Sequence, residues 1–443
     1  MRRSLPLILV AGTYMAVAGF VAPARAENLL DVYRQARAND PTWAAAEAGY
    51  QASIEKGPQG KALLLPSIIF TANAFRNNLD RTTPSSLNSN YGSNGYTVQL
   101  TQPLFRKANF DAYQEGKLSV TQAQAQLAIA RQDLILRTAQ AYFNVLSSQD
   151  ALKFADAKKI AIAGQLDLAK RNFEVGNSTI VDVNAAQAQY DSAVAAEVAA
   201  DNDLRVKKET LATITNSPVD HLAGLTQTLP LQLPEPADMD SWTKAAEEQS
   251  PQIQVQKQAL DIAREEVKKS RAGHYPTLDL IASHNYNYGS SPYFPGSTTY
   301  YTDQIGVELS MPIYSGGAVA SQIRQSLALE DQARETLTQT ERQTILQTRQ
   351  YYLAVTSGVA QVKALQQALV SNEKSLESTK LGYQTGVNTG LDVLNAQQNL
   401  FSAENDLSQA KYNYLMSRLQ LKDAVGTLSE DDLVQISTLL TSQ

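Results

Sequence analysis

The chain alternates between two hydrophobic periods, and it does so twice. In residues 277–288, Leu278, Leu280, Ala282, His284, Tyr286 and Tyr288 alternate with Thr277, Asp279, Ile281, Ser283, Asn285 and Asn287. Ile305, Val307 and Leu309 alternate in the same way with Gln304, Gly306, Glu308 and Ser310. Tyr96, Val98 and Leu100 do so with Thr97, Gln99 and Thr101. A period of two predicts strands with one apolar and one polar face. These strands are expected over 67–77 and 94–102, and again over 277–288 and 302–311. Elsewhere the period is seven. Val183, Tyr190, Glu197, Leu204 and Leu211 form one seam, and Val393, Leu400, Leu407, Tyr414 and Leu421 form another. Such a spacing keeps one helix face against a partner and imposes a left-handed supercoil. Glu197 is the one polar member, so the first seam is the weaker.

The helical stretches are long. Between Lys107 and Glu174 there is no proline, and only Gly116 and Gly164 interrupt a helix-forming composition. At ~1.5 Å per residue that helix reaches ~100 Å, the length of a rod or a tube wall. Gly176-Asn177-Ser178 breaks it, and a second helix is expected from Val181 to Ile214. A short helix over 42–61 precedes the first strands and stops before Pro66. The second half repeats the plan, with helices expected over 251–271, 318–384 and 391–425. Taken alone, these helices fit a generic coiled-coil rod equally well.

The repetition is literal. Leu65-Pro66-Ser67 recurs as Tyr275-Pro276-Thr277, 210 residues on, and Phe173-Glu174-Val175-Gly176 recurs as Tyr383-Gln384-Thr385-Gly386. The offset slips by one at the strand ends, where Thr101-Gln102-Pro103-Leu104-Phe105 answers Ser310-Met311-Pro312-Ile313-Tyr314. Solenoid units run roughly 20–50 residues, so this is a duplicated half-molecule. The chain divides into an export signal (1–26), a first repeat (27–215), a linker (216–250), a second repeat (251–425) and a tail (426–443). Pro218, Pro230, Pro234 and Pro236 mark the linker.

Arg2 and Arg3, an apolar run from Leu5 to Phe20, and Ala24-Arg25-Ala26 have the form of a secretory signal with its cleavage site. Pro6, Gly12 and Thr13 within the short apolar run argue against a retained anchor. There is no cysteine, so no disulfide supports the exported chain. With 38 basic against 44 acidic side chains there is no basic block for nucleic acid. Tyrosine is abundant, 20 residues against two tryptophans, and several tyrosines fall in the strand regions, as at a membrane interface.

Strand dyads of this length, with aromatic residues near their ends, fit a transmembrane β-barrel with lipid outside and water inside. A soluble sheet with one wet face would give a similar pattern. Two hairpins at equivalent places, each feeding a ~100 Å helix, are the more specific signal. Four strands cannot close a barrel, since the smallest outer-membrane barrels use about eight. Three copies would supply twelve strands, and the duplication would make the trimer pseudo-sixfold. The polar pair Asp279 and Glu308 would then line the lumen.

The chain resembles the TolC family of outer-membrane efflux and secretion channels, including its type I secretion members. The resemblance rests on Gln102-Pro103-Leu104-Phe105 with Met311-Pro312-Ile313-Tyr314-Ser315-Gly316-Gly317, and on Asn172-Phe173-x-x-Gly176 with Gly382-Tyr383-x-x-Gly386. Asp182-Val183-x-x-Ala186, Asp392-Val393-Leu394 and Ala410-Lys411-Tyr412-Asn413-Tyr414-Leu415 extend it. It implies a mainly helical fold with a β-barrel membrane part. Long antiparallel coiled coils and two hairpins per copy would build a homotrimeric twelve-stranded barrel in outer-membrane lipid, continuous with a periplasmic α-barrel. It also implies docking by a periplasmic adaptor joined to an inner-membrane ABC, RND or MFS transporter, with helix-tip contacts at Gly176 and Gly386.

The same resemblance places a periplasmic gate at Asp182 and Tyr383. Asn388 stands where the family has an arginine, which implies a gate held less tightly. A cation ring at the tunnel entrance would use Asp392, while its second member falls on an amide, Asn395, so that cation preference would come with a weaker divalent block. Asp182 and Asp392 each also begin a helix, where a carboxylate commonly caps free N–H groups. The differences between halves suggest that the second one moves in opening.

Catalysis finds no support in the sequence. His221, His274 and His284 are scattered, and neither metal-ligand spacing, a G-x-S-x-G nor a phosphate loop occurs. No cofactor is expected. The alternative is a soluble periplasmic coiled-coil adaptor or scaffold, which would lack the strand dyads.

Overall fold

The computed structural model describes residues 26–441 apart from 85, 220, 227–228 and 291–295. The expected export signal lies outside the described residues except for Ala26. Three helices open the chain, α1 (Leu29–Asn39), α2 (Pro41–Ile54) and α3 (Lys56–Ala62). A single helix over 42–61 was expected, with none before it. Asp40 makes the first division: its carboxylate accepts from the Trp43 N–H at 2.6 Å, and Pro41 takes the first helical position, where a missing N–H costs nothing. Short α1 escapes a long-period reading, yet its amphipathic face buries Leu29, Val32, Tyr33 and Ala36.

Strands β1 (Ser67–Arg81) and β2 (Leu87–Phe105) follow, then the long helix α4 (Lys107–Glu174) and its return α5 (Ile180–Thr215). The linker folds into β3 (Gly224–Leu225) and α6 (Met239–Gln249). The second half contains α7 (Pro251–Arg271), β4 (Thr277–Ser290), β5 (Ser297–Ser310), α8 (Ala318–Gln384) and α9 (Gly390–Val425). The tail forms α10 (Glu430–Ser437) and β6 (Leu440–Thr441). Three of the strands run several residues past the expected ends, because Ser, Asn and Thr there pair through backbone while carrying no apolar alternation.

Strand order is β1-β2-β4-β5, all antiparallel, in one four-stranded sheet. The register lines up Ile68, Leu100, Ala282 and Ile305 on one face, and Ser67, Thr101, Ile281 and Gly306 on the other. Above the apolar row sit Tyr96, Tyr286 and Tyr301, whose rings neighbour one another at 5.2 and 5.3 Å. Such a row of aromatic rings fits the girdle expected of a membrane sheet. Ile305 and Leu309 are 79% and 68% exposed in the single chain, as befits lipid-facing side chains.

The core lies where linker and tail wrap the middle of the rods. Tyr142 and Phe143 of α4, Tyr414 and Leu415 of α9, Leu29 and Tyr33 of α1, and Leu433 of α10 are essentially fully buried there. Each such side chain stabilises by about 1.5–3 kcal/mol relative to exposure. The Tyr142 phenol donates to the Ala223 carbonyl at 2.7 Å and the Tyr414 phenol to that of Gln232 at 2.8 Å, tying the linker to both rods. β3 pairs with β6, so linker and tail close one layer. The α9 seam buries Val393, Leu407, Tyr414 and Leu421, whereas of the α5 seam only Leu211 is buried. Glu197, its polar member, accepts from the Lys159 ammonium of α4 at 2.6 Å.

Candidate gate at the helix tips

The two coiled-coil hairpins turn in the same way. Gly176 (φ +79°) and Gly386 (φ +77°) occupy left-handed conformations that glycine adopts without strain. At the first tip Asn177 N–H donates to Asn172 O and Gly176 N–H to Phe173 O. At the second, Val387 N–H donates to Gly382 O and Gly386 N–H to Tyr383 O. Both are Schellman turns that satisfy the last carbonyls of α4 and α8.

The next helix starts are also matched. Thr179 and Asp182 form a capping box on α5, and Thr389 and Asp392 form one on α9. The Asp182 carboxylate accepts from the Thr179 N–H at 3.0 Å, the Thr179 hydroxyl at 2.8 Å and the Ser178 hydroxyl at 2.9 Å. That of Asp392 accepts from the Thr389 N–H and hydroxyl, both at 2.8 Å. These bonds favour the ionised form, with the Thr179 and Thr389 backbone N–H contributing most, so both carboxyls lie below the ordinary carboxylate value. Capping is what the two aspartates do within one chain.

Asp182 and Tyr383, both expected at the gate, do not bond to each other within the chain. Asp182 is committed to its own cap, and the Tyr383 phenol instead accepts from the Asn172 side-chain amide at 3.1 Å. This bond joins the end of α4 to the end of α8, and so links the two hairpins. Its signal in the sequence was the mismatch between halves: Asn172 stands opposite Gly382, and Phe173 opposite Tyr383. Asn388, opposite Ser178, folds back so that its amide donates to Thr379 O at 3.4 Å. A Cβ on Gly382 would lie 2.7 Å from that amide, so the second half has room for either Asn388 or a side chain at 382.

A groove of about 330 Å³ between the tips is lined by Asn172, Asp182, Tyr383, Asn388, Thr389 and Leu391, among others. It brings together three of the expected gate residues. Asp392 and Asn395 lie outside it, exposed and a turn apart on α9. Around the turns Val175, Val181 and Val387 are exposed apolar side chains.

At the other end of α4 the strand carboxylate Asp279 is paired within the chain. Asp279 is 7% exposed, and its carboxylate receives Arg106 Nε at 2.8 Å and Arg106 Nη2 at 2.6 Å. Arg106 is the last residue before α4, so this fork fixes the corner between sheet and rod instead of leaving a free charge. Glu308, directly across from Asp279 in the β4–β5 register, remains exposed. Among the described residues no group of His, Asp and Glu has metal-binding geometry, and no helix is long and apolar enough to cross a membrane.

A membrane sheet with two open edges, continuous with ~100 Å helices that meet at a narrow tip, defines a tubular outer-membrane channel protein. Residues 32–217 and 242–427 match the family described as outer membrane efflux protein, one stretch for each half. Outer membrane protein TolC of Vibrio cholerae is 33% identical over 99% of this chain and 98% of its own length. The proteases secretion protein PrtF of Dickeya chrysanthemi is 30% identical over 100% of the chain and 96% of its own. The crystal structure of VceC, another Vibrio cholerae outer membrane protein, shares the fold with a TM-score of 0.78 at 18% identity, covering 90% of this chain and 96% of that one. The chain belongs to the outer membrane efflux protein family. It is an outer-membrane exit duct, not an enzyme, and nothing supports the soluble adaptor alternative.

Proposed function

We propose that the duct is closed at its helix tips, where the groove holding Tyr383 is bridged by Asn172. This single hydrogen bond between the two hairpins supports the reading most directly, since untwisting one hairpin away from the other must break it. A neutral amide–phenol bond contributes only about 0.5–1.5 kcal/mol net. Asn388 adds no charge to it, so the closed state is held weakly. Three exposed Asp392 carboxylates, one per copy, give the entrance a cation preference, and the Asn395 amide leaves divalent ions less tightly held.

The exposed apolar turns near Gly176 and Gly386 form the surface on which a periplasmic adaptor docks, linking the duct to an inner-membrane ABC, RND or MFS transporter. The likeness to PrtF supports export of proteins as one cargo. Mass measurement in detergent should give three times the mass of the chain without its export signal. Adaptor capture should fail after Val175→Asp and Val387→Asp. In planar bilayers the purified trimer should open more readily than its TolC relatives; a channel as firmly closed as theirs contradicts the weak gate.

A further inference from the structure

The duplication carries more than sequence. It also preserves strand register, because Ser67 faces Thr101 in the first hairpin and their counterparts Thr277 and Ser310 face each other in the second. The β2–β4 seam joins the two hairpins within a chain, while the outer edges of β1 and β5 have no partner strand among the described residues. If β5 meets β1 of the next copy as β2 meets β4, each known pair has a computable twin. Val98 facing His284 becomes Val307 facing Ala74. Tyr96 facing Tyr286 becomes Ile305 facing Arg76, and Asn94 facing Tyr288 becomes Asp303 facing Asn78.

This register passes an independent check. Ile305 and Asp303 lie on the apolar face, and so does Arg76, two strand positions at a time from Ile68. Shifting by one residue would turn the whole of β1 over. Charged side chains are rare on the lipid face of a barrel. Besides Asp80 near the loop end of β1, three groups that can carry charge nevertheless stand there. His284 Nδ1 lies 2.5 Å from the Asp303 carboxylate, whose side chain is still 79% exposed. Arg76 is exposed and has no hydrogen-bond or ion-pair partner among the described residues. The twin register sets Arg76 diagonally beside Asp303, within reach of a long side chain.

We propose that each barrel seam between copies is completed by Arg76 of one copy closing on the Asp303–His284 pair of the next, just beneath the tyrosine girdle. The occupant of the open β5 edge is therefore the β1 strand of a second copy, in the register Val307–Ala74. A slip of two residues in one direction would set Asp303 against Asp80, so like charges guard that side. The inference rests on the trimeric barrel and specifies its seam.

The chain has no native cysteine, so introduced pairs report cleanly. Val307→Cys with Ala74→Cys leaves the charged triad intact and should give covalently linked dimers and trimers on mild oxidation. Val307→Cys with Ala72→Cys or with Arg76→Cys should give several-fold less. Preferential linkage through either of those, or none from any pair in a trimeric preparation, overturns the register. A purified chain that is monomeric in detergent would instead overturn the trimeric reading beneath it. Arg76→Asp and Asp303→Arg should each lower the trimer dissociation temperature by several degrees, and the two together should restore it. Single changes without effect, or no restoration, overturn the triad.

Discussion

The two halves share a scaffold and differ at the places that could move. Each tip has its Schellman glycine and its Thr–Asp capping box, with nearly the same bond lengths. Against that common frame, the side chains of Asn172, Tyr383 and Asn388 have no equivalents in the other half. The corners differ too. Arg106 grips Asp279 in the sheet-to-α4 corner, while the counterpart positions hold Ser315 and Ile69. Duplication therefore supplies the tube wall twice, and divergence supplies one rigid corner and, in the proposed function, one latch.

Removing the grip should show the largest difference between halves. Asp279→Ala leaves a half-exposed guanidinium without its fork and should cost about 1–3 kcal/mol. Ser315→Ala at the other corner should stay within roughly 0.5 kcal/mol. Thermal unfolding of both variants makes the comparison, and equal losses would erase it.

A comparable effect depends on pH. Burial, with the Asp133 charge adding to it, pushes the Asp423 carboxyl of α9 up to about 6 from 3.8, whereas Thr213 holds the equivalent place in α5. The folded chain then binds the proton more strongly than the unfolded one, so stability present below the unfolded value falls as pH rises through about 6. Asp423→Asn should leave stability near pH 3.5 unchanged and raise it at pH 7.5 by roughly 1–3 kcal/mol. Denaturant titrations at the two pH values check this, and a gain of the same size at both would contradict it.

The caps should show no difference between halves. Thr179→Ala and Thr389→Ala should each cost about 1 kcal/mol, and a clearly unequal pair would mean that one tip does more than turn the chain. Smallest of all in stability is the latch. Tyr383→Phe should cost about 0.5–1.5 kcal/mol, while Phe173→Tyr, whose new hydroxyl would sit at an exposed position, should change little.

Much of this was legible from periodicity. Alternation at Leu278–Tyr288 and heptads at Val393–Leu421 depend on one buried face per element, which leaves its mark in any single strand or helix. What escaped was set by contacts between distant segments. The spacing of Leu29, Val32, Tyr33 and Ala36 marks one apolar face on α1, but not the tail against which that face is buried. Asp279 reads as a wet strand residue until Arg106 folds onto it. Asp182 and Tyr383 were expected at the tips, where they line one groove, but the hydrogen-bond partner of each was not foreseen. Thr179 takes the carboxylate because a cap only three residues away needs little ordering, and the phenol is left to Asn172. Mismatch between the halves was the usable signal for that last residue.

The claim that the latch holds the duct shut is tested most directly by single-channel conductance of the purified trimer in planar bilayers, before and after Tyr383→Phe. Wild type should dwell mainly in a low-conductance state. Losing the phenol should raise the mean conductance several-fold, and Phe173→Tyr in the other half should leave it unchanged. A Tyr383→Phe channel that stays as closed as wild type would contradict it.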